Sequence, residues 1–132
     1  MKITADTNVL VRAVTGDDAQ QSKAAQTALK KAELVALSIP ALCEFVWVLS
    51  QGYKTPSGDI AKAIRRLING ANVVVNRPAA EAGLALLDSG GDFADGVISY
   101  EGNWLGADTF VSFDKKALKL MEAQGGSVRM PS

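Results

Sequence analysis

Short apolar runs alternate along this chain with longer stretches whose apolar residues recur at helical spacing. The first run, Lys2-Ile3-Thr4-Ala5, is β-prone and leads directly into Asp6-Thr7-Asn8. Val9-Leu10-Val11 then opens a helical stretch that Gly16-Asp17-Asp18 breaks. Asp17 or Asp18 can cap a helix over residues 18–33, where Ala24, Ala25, Ala28, Leu29 and Ala32 keep the helical period. Residues 34–39 read as a second strand. Pro40 suits the first turn of a helix over residues 41–51. After a loop from Gly52 to Pro56, residues 57–69 form an amphipathic helix, with Ile60, Ile64, Leu67 and Ile68 on one face. Gly70 ends it, and residues 72–75 make a third strand. Pro78 opens another helix that Gly90-Gly91 stops, and a further helix runs from about Asp92 to Trp104. Residues 109–113 are a fourth strand ending at Asp114. A short helix over 115–124, a Gly125-Gly126 turn and a last strand over 127–130 complete the chain. Strands alternating with helices predict an α/β domain with a mainly parallel sheet of four to five strands. No repeat, low-complexity tract or linker divides residues 1–132, so one domain is expected.

Four acids stand out against this pattern. Asp6 and Asp114 each follow an apolar strand, where ligands of open parallel sheets bind. Each also suits the N-cap of the following helix, and the sequence leaves the two roles open. Glu44 is the one charge in Ala41-Leu42-Cys43-Glu44-Phe45-Val46-Trp47-Val48-Leu49, a stretch apolar on every side and therefore expected to be buried. A buried carboxylate needs a partner, a proton or a metal. Asp95 falls in the first turn of its helix, three residues after Asp92. If that helix starts at Phe93, Asp92 is its N-cap and Asp95 is free for another role.

Composition narrows the chemistry. The chain has no histidine and one cysteine, Cys43. Histidine-based triads, histidine acid–base catalysis and zinc sites are therefore excluded or disfavoured, and no disulfide can form within the chain. A lone cysteine fits a reducing cytoplasm. No run approaches the roughly 18 apolar residues of a membrane span, and no signal peptide is evident. The 14 basic and 14 acidic residues cancel, so RNA or DNA could be held only by local patches. The candidates are Arg12, Lys62, Arg65, Arg66, Lys115 and Lys116, each of which also reads as an ordinary solvated helix position. Two carboxylates about 4 Å apart repel by on the order of 4 kcal/mol at an effective dielectric near 20, so a shared site for the four acids would take up protons or a cation. Oxygen-only ligands select Mg²⁺ or Mn²⁺, which suit phosphoryl chemistry.

Taken together, Asp6-Thr7-Asn8-Val9-Leu10, Glu44, Asp92-Phe93-Ala94-Asp95-Gly96-Val97-Ile98 and Ser112-Phe113-Asp114 resemble the PIN-domain ribonucleases, most closely the VapC toxins of bacterial toxin–antitoxin pairs. The resemblance covers nearly the whole chain. It implies a three-layer α/β/α domain and a catalytic cluster of Asp6, Glu44, Asp95 and Asp114 holding Mg²⁺ or Mn²⁺, with Asn8, Ser112 and Asp92 in support. It further implies endoribonuclease activity leaving a 5′-phosphate and a 3′-hydroxyl, a cognate antitoxin, a homodimer and a cytoplasmic protein with no membrane association. Ser112 stands where threonine is commoner. Gly96 stands where alanine is commoner, which predicts a less rigid helix start. Two rivals remain. A haloacid-dehalogenase-like phosphatase wants a second aspartate where this chain has Asn8. A receiver-like or non-catalytic PIN-like binding module would not need all four acids; a receiver also wants its phosphoacceptor after the third strand, where Asn76-Arg77-Pro78 stands.

Overall fold

A computed structural model of the chain describes residues 1–132. The chain divides into two compact units, Met1–Arg77 and Pro78–Ser132. No helix is long and apolar enough to cross a membrane.

In the first unit the order is β1 (Lys2–Thr4), α1 (Thr7–Val14), α2 (Ala19–Lys31), β2 (Leu34–Leu37), α3 (Ile39–Trp47), α4 (Ser57–Ile68) and β3 (Val73–Val75). The three strands form a parallel sheet in the order β1-β2-β3, with Ile3 opposite Val35 and Val35 opposite Val73. Each early helix starts on a side-chain cap. Asp6 opens α1, Asp18 opens α2 and Ser38 opens α3. Asn72 locks the entry to β3, because its amide donates to the carbonyls of both Leu29 and Ala32 at 2.8 and 2.9 Å. Leu10, Val35, Leu42, Phe45, Ile60 and Ile64 are the fully enclosed centre of this unit.

The helix expected over residues 41–51 starts slightly earlier, at Ile39, and passes at Val48–Gly52 into a π-helical turn. It is not buried on all sides. Leu42, Phe45, Val46 and Leu49 face the core, but Glu44 is exposed and Trp47 is 65% exposed. Residues three apart share a helix face, so Glu44 and Trp47 form one outward stripe. The expectation of a buried Glu44 is thereby corrected: a large aromatic on that stripe made the outer face look like core.

The second unit holds α5 (which runs Arg77–Asp88 and so begins one residue before it), α6 (Phe93–Trp104), β4 (Thr109–Val111), α7 (Lys115–Ala123) and β5 (Ser127–Arg129). β4 and β5 are parallel, with Phe110 opposite Val128. The five strands expected are all present, as a three-stranded and a two-stranded parallel sheet. The fold is α/β with parallel strands.

Helix α5 stops at Gly90, whose φ of +89° lets the Gly91 N–H close on the Leu86 carbonyl at 2.8 Å. The chain then turns directly into α6, and the two helices approach closely at Gly83 and Gly96. A Cβ on Gly83 would lie 2.6 Å from the Phe93 ring, which is fully buried. A Cβ on Gly96 would press into the Ala82 carbonyl and lie 2.9 Å from the Gly83 Cα. Gly96 is therefore not a loosening of the helix start, as its departure from the commoner alanine suggests. It is what allows α6 to approach α5.

Candidate active site

In the first unit, β-pairing continues one residue past β1, where the Ala5 N–H donates to the Ala36 carbonyl. Ala5 is buried, and the chain leaves the sheet at Asp6, which is exposed. Asp6 thus stands at the carboxyl end of β1. Its Oδ1 accepts the Val9 N–H at 3.0 Å as the N-cap of α1. The next residue reaches a second candidate acid: the Thr7 hydroxyl donates to Glu44 Oε1 at 3.2 Å. Asp6 and Glu44 are therefore gathered at one end of this unit. Asn8 is exposed in the same first turn of α1. Thr7 carries no signal of its own in the sequence beyond standing next to Asp6, and 37 residues separate it from Glu44.

In the second unit, three acids share one neighbourhood. Asp92 caps α6, with Oδ1 accepting the Ala94 N–H at 3.1 Å. Asp114 caps α7, with Oδ1 accepting from Lys116 and Ala117 at 3.0 and 3.1 Å. Ser112 shapes that turn by accepting the Asp114 N–H on its hydroxyl at 2.9 Å. Asp95 is half-buried in the first turn of α6. Burial, and then the charges of Asp92 and Asp114, hold its carboxyl above the ordinary aspartate range. Its burial penalises the carboxylate more than either neighbour does.

In neither unit do three or more acidic side chains converge as a ready-made ligand set. The donors present nevertheless suit a hard divalent cation. They are all oxygen, and the caps at Asp6 and Asp114 both run to Oδ1, which leaves Oδ2 for another partner. A cation would also offset the like charges around Asp95.

The basic candidates scatter. Arg12 pairs with Asp17 at 3.0 Å, inside a cluster in which Asp17 also accepts from Thr15 and from the Tyr53 hydroxyl at 2.8 Å. The Tyr53 hydrogen bond holds the Asp17 carboxyl below its ordinary value; burial opposes it, and Thr15 and Arg12 add smaller depressions. Arg12 is thus engaged in tying the end of α1 to the segment after α3. Lys62 and Arg66 line a cavity of about 720 Å³ with Val14, Leu49 and Leu67. A second cavity of about 280 Å³ shares Val14, Arg66 and Leu67 and extends the groove to Leu29. Arg65 is exposed in the last turn of α4, where cations complement the helix dipole. Lys115 and Lys116 are exposed in the first turn of α7, beside Asp114.

A search among curated proteins gives no match to the chain. The family model of the PIN domain matches residues 3–122, and PIN domains are in general nucleases. The match runs from β1 into α7 and takes in Asp6, Glu44, Asp95 and Asp114; the chain belongs to the PIN domain family.

Proposed function

We propose that the protein is a metal-dependent endoribonuclease, the toxin of a VapBC-type toxin–antitoxin pair, acting in the cytoplasm. The observation that carries this reading is the family match over residues 3–122, with all four acids of the sequence pattern inside it. Membership of the family leaves a non-catalytic PIN module as the rival. Three features support catalysis. Asp6 and Asp114 stand where strands deliver residues to a ligand. Thr7 fixes Glu44. Asp95 sits in the field of two further carboxylates.

In this reading the chain works as one PIN domain. Asp6, Glu44, Asp95 and Asp114 would hold Mg²⁺ or Mn²⁺, which when bound would activate water and stabilise charge on the phosphate oxygens. The capping bonds orient Asp6 and Asp114, the Ser112 hydroxyl fixes the turn that carries Asp114, and Asp92 orders the start of the helix that carries Asp95. Asn8 supplies a polar group beside Asp6. The groove lined by Val14, Leu29, Leu49 and Leu67 is a seat for a segment of the antitoxin, with Lys62, Arg66 and Asp59 as the charged groups along it. In a homodimer the second copy would cover exposed aromatic surface such as Trp47, 65% exposed, or Trp104, 74% exposed.

The test is induced expression without an antitoxin, followed by sequencing of RNA ends. New 5′-phosphate ends and growth arrest are expected from the wild type. Asp95→Asn should fold, give neither, and fail to cut RNA when purified. Growth arrest by folded Asp95→Asn protein would remove catalysis at these acids from the account.

A further inference from the structure

Of the four phenylalanines, Phe45 and Phe93 are fully buried and Phe110 is half-buried, but Phe113 is 76% exposed. It lies between the end of β4 and the Asp114 cap of α7, and the backbone on both sides of it is pinned. The Ser112 N–H donates to the Arg129 carbonyl at 3.2 Å, and the Asp114 N–H donates to the Ser112 hydroxyl at 2.9 Å. Asp114 in turn accepts from Lys116 and Ala117. The turn that carries the ring is therefore ordered, and covering the ring costs little backbone freedom.

Two lysines follow it directly. Lys115 and Lys116 are exposed in the first turn of a nine-residue helix. Cations there oppose the helix dipole, which favours acids at that end. The dipole does not favour them there, and their exposed ammonium groups suit an anion outside the helix. An exposed apolar ring followed two and three residues on by exposed cations matches a nucleotide, which offers a flat base and a charged phosphate. It matches an apolar protein surface less well, because docking one would desolvate both ammonium groups.

Resting on the nuclease reading above, we infer that Phe113, Lys115 and Lys116 form a nucleotide platform at the edge of the site. A base of the RNA stacks on the Phe113 ring, and the lysines take the adjoining phosphate. Phe113 is a positioning residue: holding the base next to Asp114 fixes where along the strand the phosphate lies. Stacking tolerates every base, so the platform grips single-stranded RNA without reading its sequence.

The experiment titrates the full chain, in EDTA to prevent cleavage, into short single-stranded RNA carrying 2-aminopurine. Anisotropy reads affinity, and quenching of the analogue reads stacking. Wild type should bind and quench. Phe113→Leu should weaken binding on the order of tenfold and remove the quench, whereas Phe113→Trp should keep both. Replacing Lys115 and Lys116 together with glutamine should reduce the slope of log affinity against log salt by about 1.4. Far-ultraviolet circular dichroism checks that each variant is folded. RNA binding and quenching by Phe113→Leu at the wild-type level overturn the platform while leaving the nuclease reading intact. So does a Phe113→Leu variant that loses only a protein partner. Wild-type protein that neither binds RNA in EDTA nor cuts it with Mg²⁺ overturns both.

Discussion

Replacing Gly96 by alanine should destabilise the protein, although alanine is the better helix former. An added methyl at Gly96 meets backbone, not a side chain that can swing away: the carbonyl carbon of Ala82 and the Cα of Gly83 would both lie 2.9 Å from it, and the Ala82 oxygen nearer still. Carbon-to-oxygen contacts normally begin at about 3.3 Å, so α6 must withdraw from α5 by a sizeable part of an ångström. The withdrawal unseats the Phe93 ring, which is fully buried at the face of Gly83. Overpacking of this kind costs about 1–3 kcal/mol, and a backbone obstacle points to the upper half. The gain in helix propensity returns up to about 1 kcal/mol. The net loss is about 1–2 kcal/mol, or a fall in Tm of roughly 4–8 °C for a chain this size. Gly102→Ala is the control. It lies in the same helix, and nothing stands within 4 Å of its added methyl. Only the propensity gain remains there, so Tm should hold or rise. The two variants are compared by thermal melting followed at 222 nm. If Gly96→Ala melts as high as Gly102→Ala, the close approach of α5 and α6 is not what Gly96 provides.

Tyr53→Phe removes the largest influence depressing the Asp17 carboxyl, so its pKa should rise toward the ordinary aspartate value, as read from the side-chain carboxyl carbon by NMR titration; an unchanged titration would contradict the hydrogen bond. Because the folded-state value is depressed, this cluster stabilises the fold above the unfolded pKa, and the contribution disappears as pH falls through the folded value. The variant should therefore lose less stability than wild type over that acid range. Asp92→Asn should leave melting nearly unchanged, since asparagine caps about as well, whereas Asp92→Ala should cost about 1 kcal/mol in denaturant unfolding; equal losses would show that charge, not capping, is the contribution of Asp92. Asp95 should keep a raised pKa in Asp92→Asn, because burial outweighs the neighbouring charge. Mg²⁺ or Mn²⁺ at roughly a hundred times its Kd should stabilise wild type by about 2.7 kcal/mol, and the gain should shrink in Glu44→Gln; a melting curve indifferent to metal would count against a four-acid site.

Most of the fold was legible because the chain punctuates itself. Asp18, Ser38 and Asp92 cap helices whose starts the sequence places within a residue or two, and Gly70 and Gly90 stand just past the ends of α4 and α5. Of the amphipathic stripe Ile60, Ile64, Leu67 and Ile68, the three isoleucines are buried and Leu67 is half-buried, and Lys62, Arg65 and Arg66 are exposed off it. The illegible parts depend on distance in three dimensions. Nothing in the sequence brings Tyr53 to Asp17 across 36 residues or Asn72 to the end of α2 across 43. Arg12 counted as a possible RNA contact because its ion pair with Asp17 depends on how the chain turns at Thr15. Likewise Gly96 gave no hint of a packing role, because the obstacle is a carbonyl on another helix.

Glu44 and the capping aspartates misled in opposite ways. For Glu44, an apolar setting argued burial, yet Trp47 shares its exposed stripe, so hydrophobicity alone did not report the core face. What singles out Glu44 instead is the hydroxyl of Thr7, a contact that ties α3 to the turn beginning at Asp6. For Asp6 and Asp114, capping and ligand binding looked like alternatives, and both prove to be caps. A cap, however, needs one acceptor atom, and a carboxylate has two. The capping bonds run to Oδ1 in each case, and they hold the carboxylate in place without exhausting it. Asp92, a cap of the same kind, therefore cannot be set aside from a metal role by its capping alone. What separates it from Asp95 is exposure: Asp95 is half-buried and Asp92 is exposed. A cation held there would offset the like charges of Asp92 and Asp114 beside Asp95, and the capping bonds of those two aspartates already orient their carboxylates.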